Sequence, residues 1–211
     1  MDFNDFKKEF QSIPIINSSD IVRKYKGQTA YNQLNTWTKK GLLIQLKRGL
    51  YILNKDDRKI AIGNYFIANQ LYQPSYISME SALSLYELIP DTTAAITSIS
   101  TKKTMTIDNP FASFTYQHIK SKAYRGFKLE IDNNNLNYFI AEPEKAILDF
   151  LYFNLSDIDR QDTEIFEKSY RFQNLDILDA KKILKYADFF DNPKLKDAAK
   201  NLCMLIKGVK C

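Results

Sequence analysis

The apolar positions of the first fifty residues change rhythm. Phe3, Phe6 and Phe10 fall at i, i+3 and i+7, one face of a helix, and Pro14 stops it. Asn17-Ser18-Ser19-Asp20 supplies N-cap chemistry for a second short helix, with Ile21, Val22 and Tyr25 facing inward. Gly27 ends that helix, and Gln28 or Thr29 opens a third. On a helical wheel Ala30, Leu34 and Trp37 cluster on one side of the third helix. Gly41, after Lys39-Lys40, is its stop. The pattern then shortens. Leu42 to Leu46 and Leu50 to Leu53 read as two strands, joined by Lys47-Arg48-Gly49, a tip where glycine supplies the turn geometry. Three helices feeding a basic-tipped hairpin are the one-dimensional outline of a winged helix-turn-helix.

Asn54 to Lys59 is a short charged stretch and marks a domain boundary. Beyond it, Ile60 to Tyr72 has helical spacing and ends at Pro74. Ser78 is placed to cap a further helix with Met79, Ala82, Leu83 and Tyr86 on one face, closed by Pro90. From Ala94 to Lys128 the period falls towards two, with many Thr, Ile, Phe and Tyr, which predicts three or four strands. Asn109-Pro110, Arg125-Gly126 and Asp132 to Asn135 are turn signals, and Leu136 to Ile140 is one more strand. Pro143 suits the first position of a helix buried through Ala146, Ile147, Phe150 and Leu151. The tail from Thr163 to Lys207 is helical, with turns near Asn174 and at Asp191-Asn192-Pro193. The expected fold is therefore α+β: a winged helix-turn-helix over residues 1–59, and over 60–211 a domain with a small, mostly antiparallel sheet packed by helices.

Charge sharpens the first domain. Of the 30 Lys/Arg and 25 Asp/Glu in 211 residues, positions 1–59 hold 12 and six, and positions 60–211 hold 18 and 19. The excess of +5 thus lies wholly in the first quarter of the chain. A compact basic domain beside a neutral one points to a phosphate-backbone partner, although a solvated lysine surface gives the same balance. The outward side of the third helix carries Gln28, Asn32, Asn35, Thr36 and Lys39, with Thr29 at its start and no acid anywhere in the helix. Amides can pair with the major-groove edge of adenine, and Lys can neutralise phosphate. Lys47 and Arg48 at the hairpin tip would meet phosphate or the minor groove. The expected DNA contacts are Gln28, Thr29, Asn32, Asn35, Thr36, Lys39, Lys47 and Arg48.

Signals for catalysis are weak. Glu142, Glu144, Lys145 and Asp149 offer a cluster of carboxylates with a lysine, but Pro143 stands where an E-x-K motif needs its acid. Helix-start electrostatics explain Glu142 and Glu144, and Lys145 with Asp149 reads as an i, i+4 surface pair. His118 is the single histidine, and Cys203 and Cys211 form no C-x-x-C, so no metal set is expected. No P-loop or G-x-G-x-x-G occurs among the six glycines. Lys120, Lys122, Arg125 and Lys128 form a basic run, read first as edge-strand lysines that block aggregation. The expectation is a protein without enzymatic activity or cofactor. The cysteine usage, the charged and aromatic N-terminus and the lack of long apolar runs predict a cytoplasmic protein that does not enter the membrane.

Three segments, GQTAYNQLNTWTKKGLLIQLKRGLYIL at 27–53, YISMESALSLYELIP at 76–90 and IAEPEKAILDFLYF at 140–153, together resemble the AbiEi family of antitoxins from type IV toxin–antitoxin systems. NPFASFTYQHIKSKAYRGF at 109–127 is similar to that family's sheet region. Glu87 and Ala112 depart from the small residues often found at those places. The resemblance implies a phage-defence regulator that binds double-stranded DNA at inverted repeats in its own promoter and represses it. It also implies a functional partner, a nucleotidyltransferase-type toxin that is countered without a stable complex. A stand-alone winged-helix regulator, or a module that grips protein, is the alternative.

Overall fold

The computed structural model describes residues 2–25, 28–91, 93–158 and 163–209, with the backbone alone at Gln28 and at 207–209. Gly27, read above as a helix end, and Cys211 lie outside the described residues. The first unit runs α1 (Phe3–Phe10), β1 (Ile16–Asn17), α2 (Ser18–Tyr25), α3 (Gln28–Lys39), β2 (Leu43–Lys47) and β3 (Leu50–Leu53). The Asp2 carboxylate accepts the Asn4 amide and starts α1, and Asn17 Oδ1 accepts the Ser19 amide at the start of α2. The helical stripes predicted from spacing meet in one core: Phe6, Phe10, Ile21, Ala30, Leu34 and Trp37, with Ile16, Leu43, Tyr51 and Leu53 from the strands. The strands form an antiparallel sheet in the order β1-β3-β2. Gly41 takes φ +71 just past α3, as a left-handed stop requires.

The β2–β3 hairpin is buried on both faces. Leu43, Tyr51 and Leu53 point into the core of the first unit. Leu46 and Ile52, with half-buried Ile44 and Leu50, pack into the core of the rest of the chain. Successive strand residues face opposite ways, so one hairpin serves two cores. The charged stretch Asn54 to Lys59 is consequently no open linker, and the Lys59 amide donates back to the Gln11 carbonyl.

The remainder comprises α4 (Asn64–Leu71), β4 (Ser75–Ile77), α5 (Met79–Leu85), β5 (Ala95–Ser100), β6 (Met105–Asp108), β7 (Ser113–His118), β8 (Phe127–Ile131), β9 (Asn137–Ala141), α6 (Pro143–Phe153), α7 (Glu164–Lys168), α8 (Ala180–Ala187) and α9 (Pro193–Val209). The α+β class is as expected. The sheet is larger than expected and mixed: it has six strands in the order β6-β7-β5-β4-β9-β8, three pairings are antiparallel as expected, and two, β5/β7 and β4/β9, are parallel. Alternation along a strand reports its faces and not its direction, so the pattern could not separate these cases. Strand β4, near the centre of the sheet, is three fully buried residues, too short to show a period. Helix α4 starts at Asn64 rather than Ile60. Glu87 adopts φ +56, a conformation that disfavours a Cβ. Asn174 and Asp191 are left-handed at the predicted turns of the tail. Among the described residues, no helix is long and apolar enough to cross a membrane.

Candidate functional site

The outward side of α3 is a continuous polar surface. Thr29, Asn32, Asn35, Thr36 and Lys39 are exposed, while Ala30, Leu34 and Trp37 are buried on the opposite side. The Thr36 hydroxyl donates to the Asn32 carbonyl at 2.8 Å, which fixes its rotamer on the helix. Tyr31, 43% exposed, adds an aromatic ring that an inventory of polar residues overlooks. The helix contains no acid, so its field towards solvent is that of amides, hydroxyls and Lys39. Such a surface offers paired donors and acceptors at helical spacing to a partner rich in acceptors and negative charge.

The hairpin tip divides its two cations. Arg48 is exposed. Gly49, at φ +86, turns the chain, and its carbonyl accepts the Ser18 amide at 2.8 Å. Lys47 departs from the expected phosphate contact. Its ammonium donates to the Leu71 carbonyl at the end of α4, and burial with repulsion from Lys102 pushes its pKa below the usual lysine value. The Asn109 amide donates to the Leu46 carbonyl at 3.3 Å, a second polar tie between hairpin and sheet. The turn is thus docked against the larger unit, and Lys47 lies in the seam. There it lines a cleft of about 550 Å³ with Arg48, Lys102, Asn17, Gln70 and Gln73.

Helix α6 holds a different cluster. Lys145 and Asp149 are fully buried, which corrects their expected place as a surface pair. The Lys145 ammonium donates to Asp149 Oδ1 and, at 2.8 Å, to the Tyr76 hydroxyl. Asp149 Oδ2 accepts from Tyr76 Oη at 3.0 Å and Ser78 Oγ at 2.7 Å. The Phe190 ring lies 4.6 Å from the ammonium. Burial raises the Asp149 carboxyl and lowers the Lys145 ammonium from their ordinary values, and each partner opposes the other's shift. The two acids of the helix start also serve contacts beyond their own helix. Glu144 Oε1 accepts the Asp179 amide at 3.0 Å, and Glu142 accepts from Lys182 at 2.8 Å and Tyr186 at 3.1 Å. These partners, Lys182 first, hold the Glu142 carboxyl below the usual range. A Cβ at Gly126 would come within 3.1 Å of Tyr186 and 3.2 Å of Lys145 Cγ, so the turn before β8 is closed tightly over the same cluster.

Three of the four segments that carry the family resemblance converge here. Tyr76 and Ser78 come from 76–90, and Lys145 and Asp149 from 140–153. Tyr124 and Phe127, from 109–127, pack their rings on Tyr76 at 5.2 and 4.6 Å. A sealed ion pair with its lone pairs committed can fix strands to helices but cannot receive a substrate. His118 is exposed, with Nδ1 3.0 Å from the Lys102 carbonyl. Among the described residues, no three His, Cys, Asp or Glu side chains gather as a metal site would need. In the basic run, Lys122 pairs with Asp191, Lys128 pairs with Glu130, and Arg125 lies over the Phe189 ring. Only Lys128 sits in an edge strand, so blocking of pairing applies to it alone. Neither the models of known protein families nor the curated proteins compared with this chain give a match.

Proposed function

We propose that the first unit is a winged helix-turn-helix and that the chain is a DNA-binding autorepressor, the antitoxin of a type IV pair of the AbiEi kind. The observation that carries this reading is the acid-free outward surface of α3, where Thr29, Asn32, Asn35, Thr36 and Lys39 stand clear of every packing contact that Ala30, Leu34 and Trp37 make. The order helix, short strand, helix, helix, hairpin, with antiparallel pairing β1-β3-β2, supports it. So does the concentration of positive charge in residues 1–59. In this reading α3 enters the major groove, Arg48 touches the adjacent backbone, and Lys47 holds the hairpin to the second domain. The second domain is non-enzymatic, and its buried Lys145–Asp149 cluster keeps helices and sheet in one arrangement. The nucleotidyltransferase-type toxin is countered without a stable complex.

The test is a gel shift on the DNA upstream of the chain's own reading frame, titrated with salt. Binding should fall steeply as salt rises, because contacted phosphates release counterions. Duplex binding that is absent, or that ignores salt, sinks the DNA reading. A nucleotidyltransferase-like neighbouring frame whose toxicity the chain relieves would separate the antitoxin from a stand-alone regulator.

A further inference from the structure

Strands β4 and β9 pair in parallel through one register position, Ile77 opposite Ile140. The Asn69 side chain from α4 reaches β9 beside it, and its Oδ1 accepts the backbone amide of Phe139. That bond fixes the orientation of the carboxamide, so Nδ2 is the atom left over. It has no hydrogen-bond partner, and neither does the hydroxyl of Ser75. Both residues are more than nine-tenths buried, at 5% and 4% exposure, and both line one cavity of about 380 Å³. Its other walls include the rings of Tyr124, Phe127 and Phe139. Two unsatisfied polar atoms, buried within residues that wall one aromatic-lined cavity, are groups that a small planar ligand with polar edges would complete.

The neighbouring space adds the second half. Gln70 and Gln73, joined by a side-chain hydrogen bond of 3.4 Å, line this cavity and also the seam cleft of about 550 Å³ that contains Lys47, Arg48 and Lys102. Among the described residues, no acid lines that cleft. The ammonium of Lys47 is disfavoured there by burial and by Lys102, and an anion between the two lysines would relieve that repulsion.

We propose that the two spaces form one nucleotide site. The base lies against Tyr124, Phe127 and Phe139, with its edge on Asn69 Nδ2 and Ser75 Oγ, and the phosphate crosses the Gln70–Gln73 rim to the Lys47, Arg48 and Lys102 cleft. Aromatic walls take the faces of a base, an amide and a hydroxyl take its edge, and clustered cations take phosphate. No part of this site lies on the outward surface of α3, so it stands whether or not that surface reads DNA.

Isothermal titration of the full chain with AMP, GMP, CMP and UMP, the four parent nucleosides, and pyrophosphate tests it. At least one monophosphate should bind to a single saturable site, about tenfold tighter than its nucleoside. Lys102→Ala, at an exposed position, should weaken the monophosphate about fivefold and leave the nucleoside unchanged. Asn137→Trp, exposed at the mouth of the aromatic cavity, should weaken both by more than about tenfold by filling it. Ser75→Ala, a smaller change, should weaken both about threefold and provides the check if the tryptophan variant melts early. The proposal is overturned if none of the four monophosphates binds. It is equally overturned if pyrophosphate matches the best nucleotide while Asn137→Trp and Ser75→Ala change nothing, which would leave an anion cleft only. A nucleoside that binds as tightly as its monophosphate, with Lys102→Ala silent, would remove the phosphate arm and with it the site proposed. Asn32→Ala with Lys39→Ala, read by gel shift, must leave nucleotide binding intact, which keeps failure of the DNA reading distinct from failure of this one.

Discussion

Helices α3 and α6 direct their polar residues in opposite ways. On α3 Thr29, Asn32, Asn35, Thr36 and Lys39 face solvent, and an apolar stripe packs the opposite side into the core. On α6 the lysine and two acids, Glu144 and Asp149, are turned inward, and nearly the whole circumference is buried. The first arrangement leaves polar groups free to recognise something else. The second spends them on internal bonds that are worth much only when complete. A helix whose charges face out can lose one at little cost to stability, whereas a helix whose charges face in cannot.

The largest effect should come from breaking one half of the inward pair. Lys145→Met or Asp149→Leu leaves the other charge buried without its partner, which costs about 3–5 kcal/mol of unfolding free energy. The double variant Lys145→Met with Asp149→Leu removes both charges and should lose less than either single change. Urea unfolding followed by circular dichroism measures this. If the single variants unfold within about 1 kcal/mol of the parent, the inward cluster is not the tie described here.

Phenols around the same core give a pH-dependent version. Burial raises Tyr76 well above the ordinary phenol value and pushes Tyr124 from 10.0 up to about 12. A group whose folded pKa is raised stabilises the fold below its unfolded pKa and loses that contribution as pH rises. The melting temperature should therefore hold up to about pH 10 and decline as pH climbs towards 12, the window set by Tyr124. A melting temperature that stays level across that window would show that folding does not raise these phenols and that they ionise in the folded chain as they do in the unfolded one.

Much of the contrast was legible in the sequence, and the part that was not has a clear cause. Ala30, Leu34 and Trp37 repeat at helical spacing, so both faces of α3 could be assigned from residues alone. In the Pro143–Phe153 segment, apolar residues at 146–148 and 150–153 already cover every face of the helix, which is the mark of a helix buried all round. Periodicity places Lys145 and Asp149 outside, because it weighs a charge without knowing its partner. Tyr76 and Ser78, the groups that satisfy Asp149, lie about seventy positions away in the chain. The hairpin held a similar signal. Leu42 to Leu46 and Leu50 to Leu53 are nearly continuous apolar runs rather than alternating ones, and that pattern belongs to strands covered on both faces. Read so, it predicts a docked hairpin, and with it the diversion of Lys47. The paired neighbours of each strand, and the parallel direction of two of them, depend on contacts that no local pattern carries.

The outward helix can be tested without touching the fold. Asn32→Ala and Asn35→Ala should each cost about 1–3 kcal/mol in affinity for the upstream duplex if their amides read bases. Their unfolding free energies should stay within about 0.5 kcal/mol of the parent, as befits exposed positions. Lys39→Ala should weaken binding to all duplexes alike and lower the salt slope by about one unit. Should the amide variants bind every duplex as the parent does, α3 presents a solvated surface and nothing more.

The finest distinction lies between neighbours at the hairpin tip. Arg48 is exposed and has no structural duty that its removal would disturb, so Arg48→Ala should leave urea unfolding unchanged and lower the salt slope by about one unit. Lys47 points into the seam, and Lys47→Ala takes the ammonium away from the Leu71 carbonyl. That loss should cost about 1 kcal/mol of stability, the scale of one hydrogen bond to a partly buried acceptor, and leave the salt slope where it was. The two variants therefore exchange readouts: one moves the salt titration alone, the other the unfolding curve alone. If Lys47→Ala lowers the salt slope as much as Arg48→Ala does, the seam opens when DNA binds and the docked hairpin is only one of its states. If neither variant moves the slope, the tip takes no part in DNA binding, and the positive charge of the first unit acts through α3.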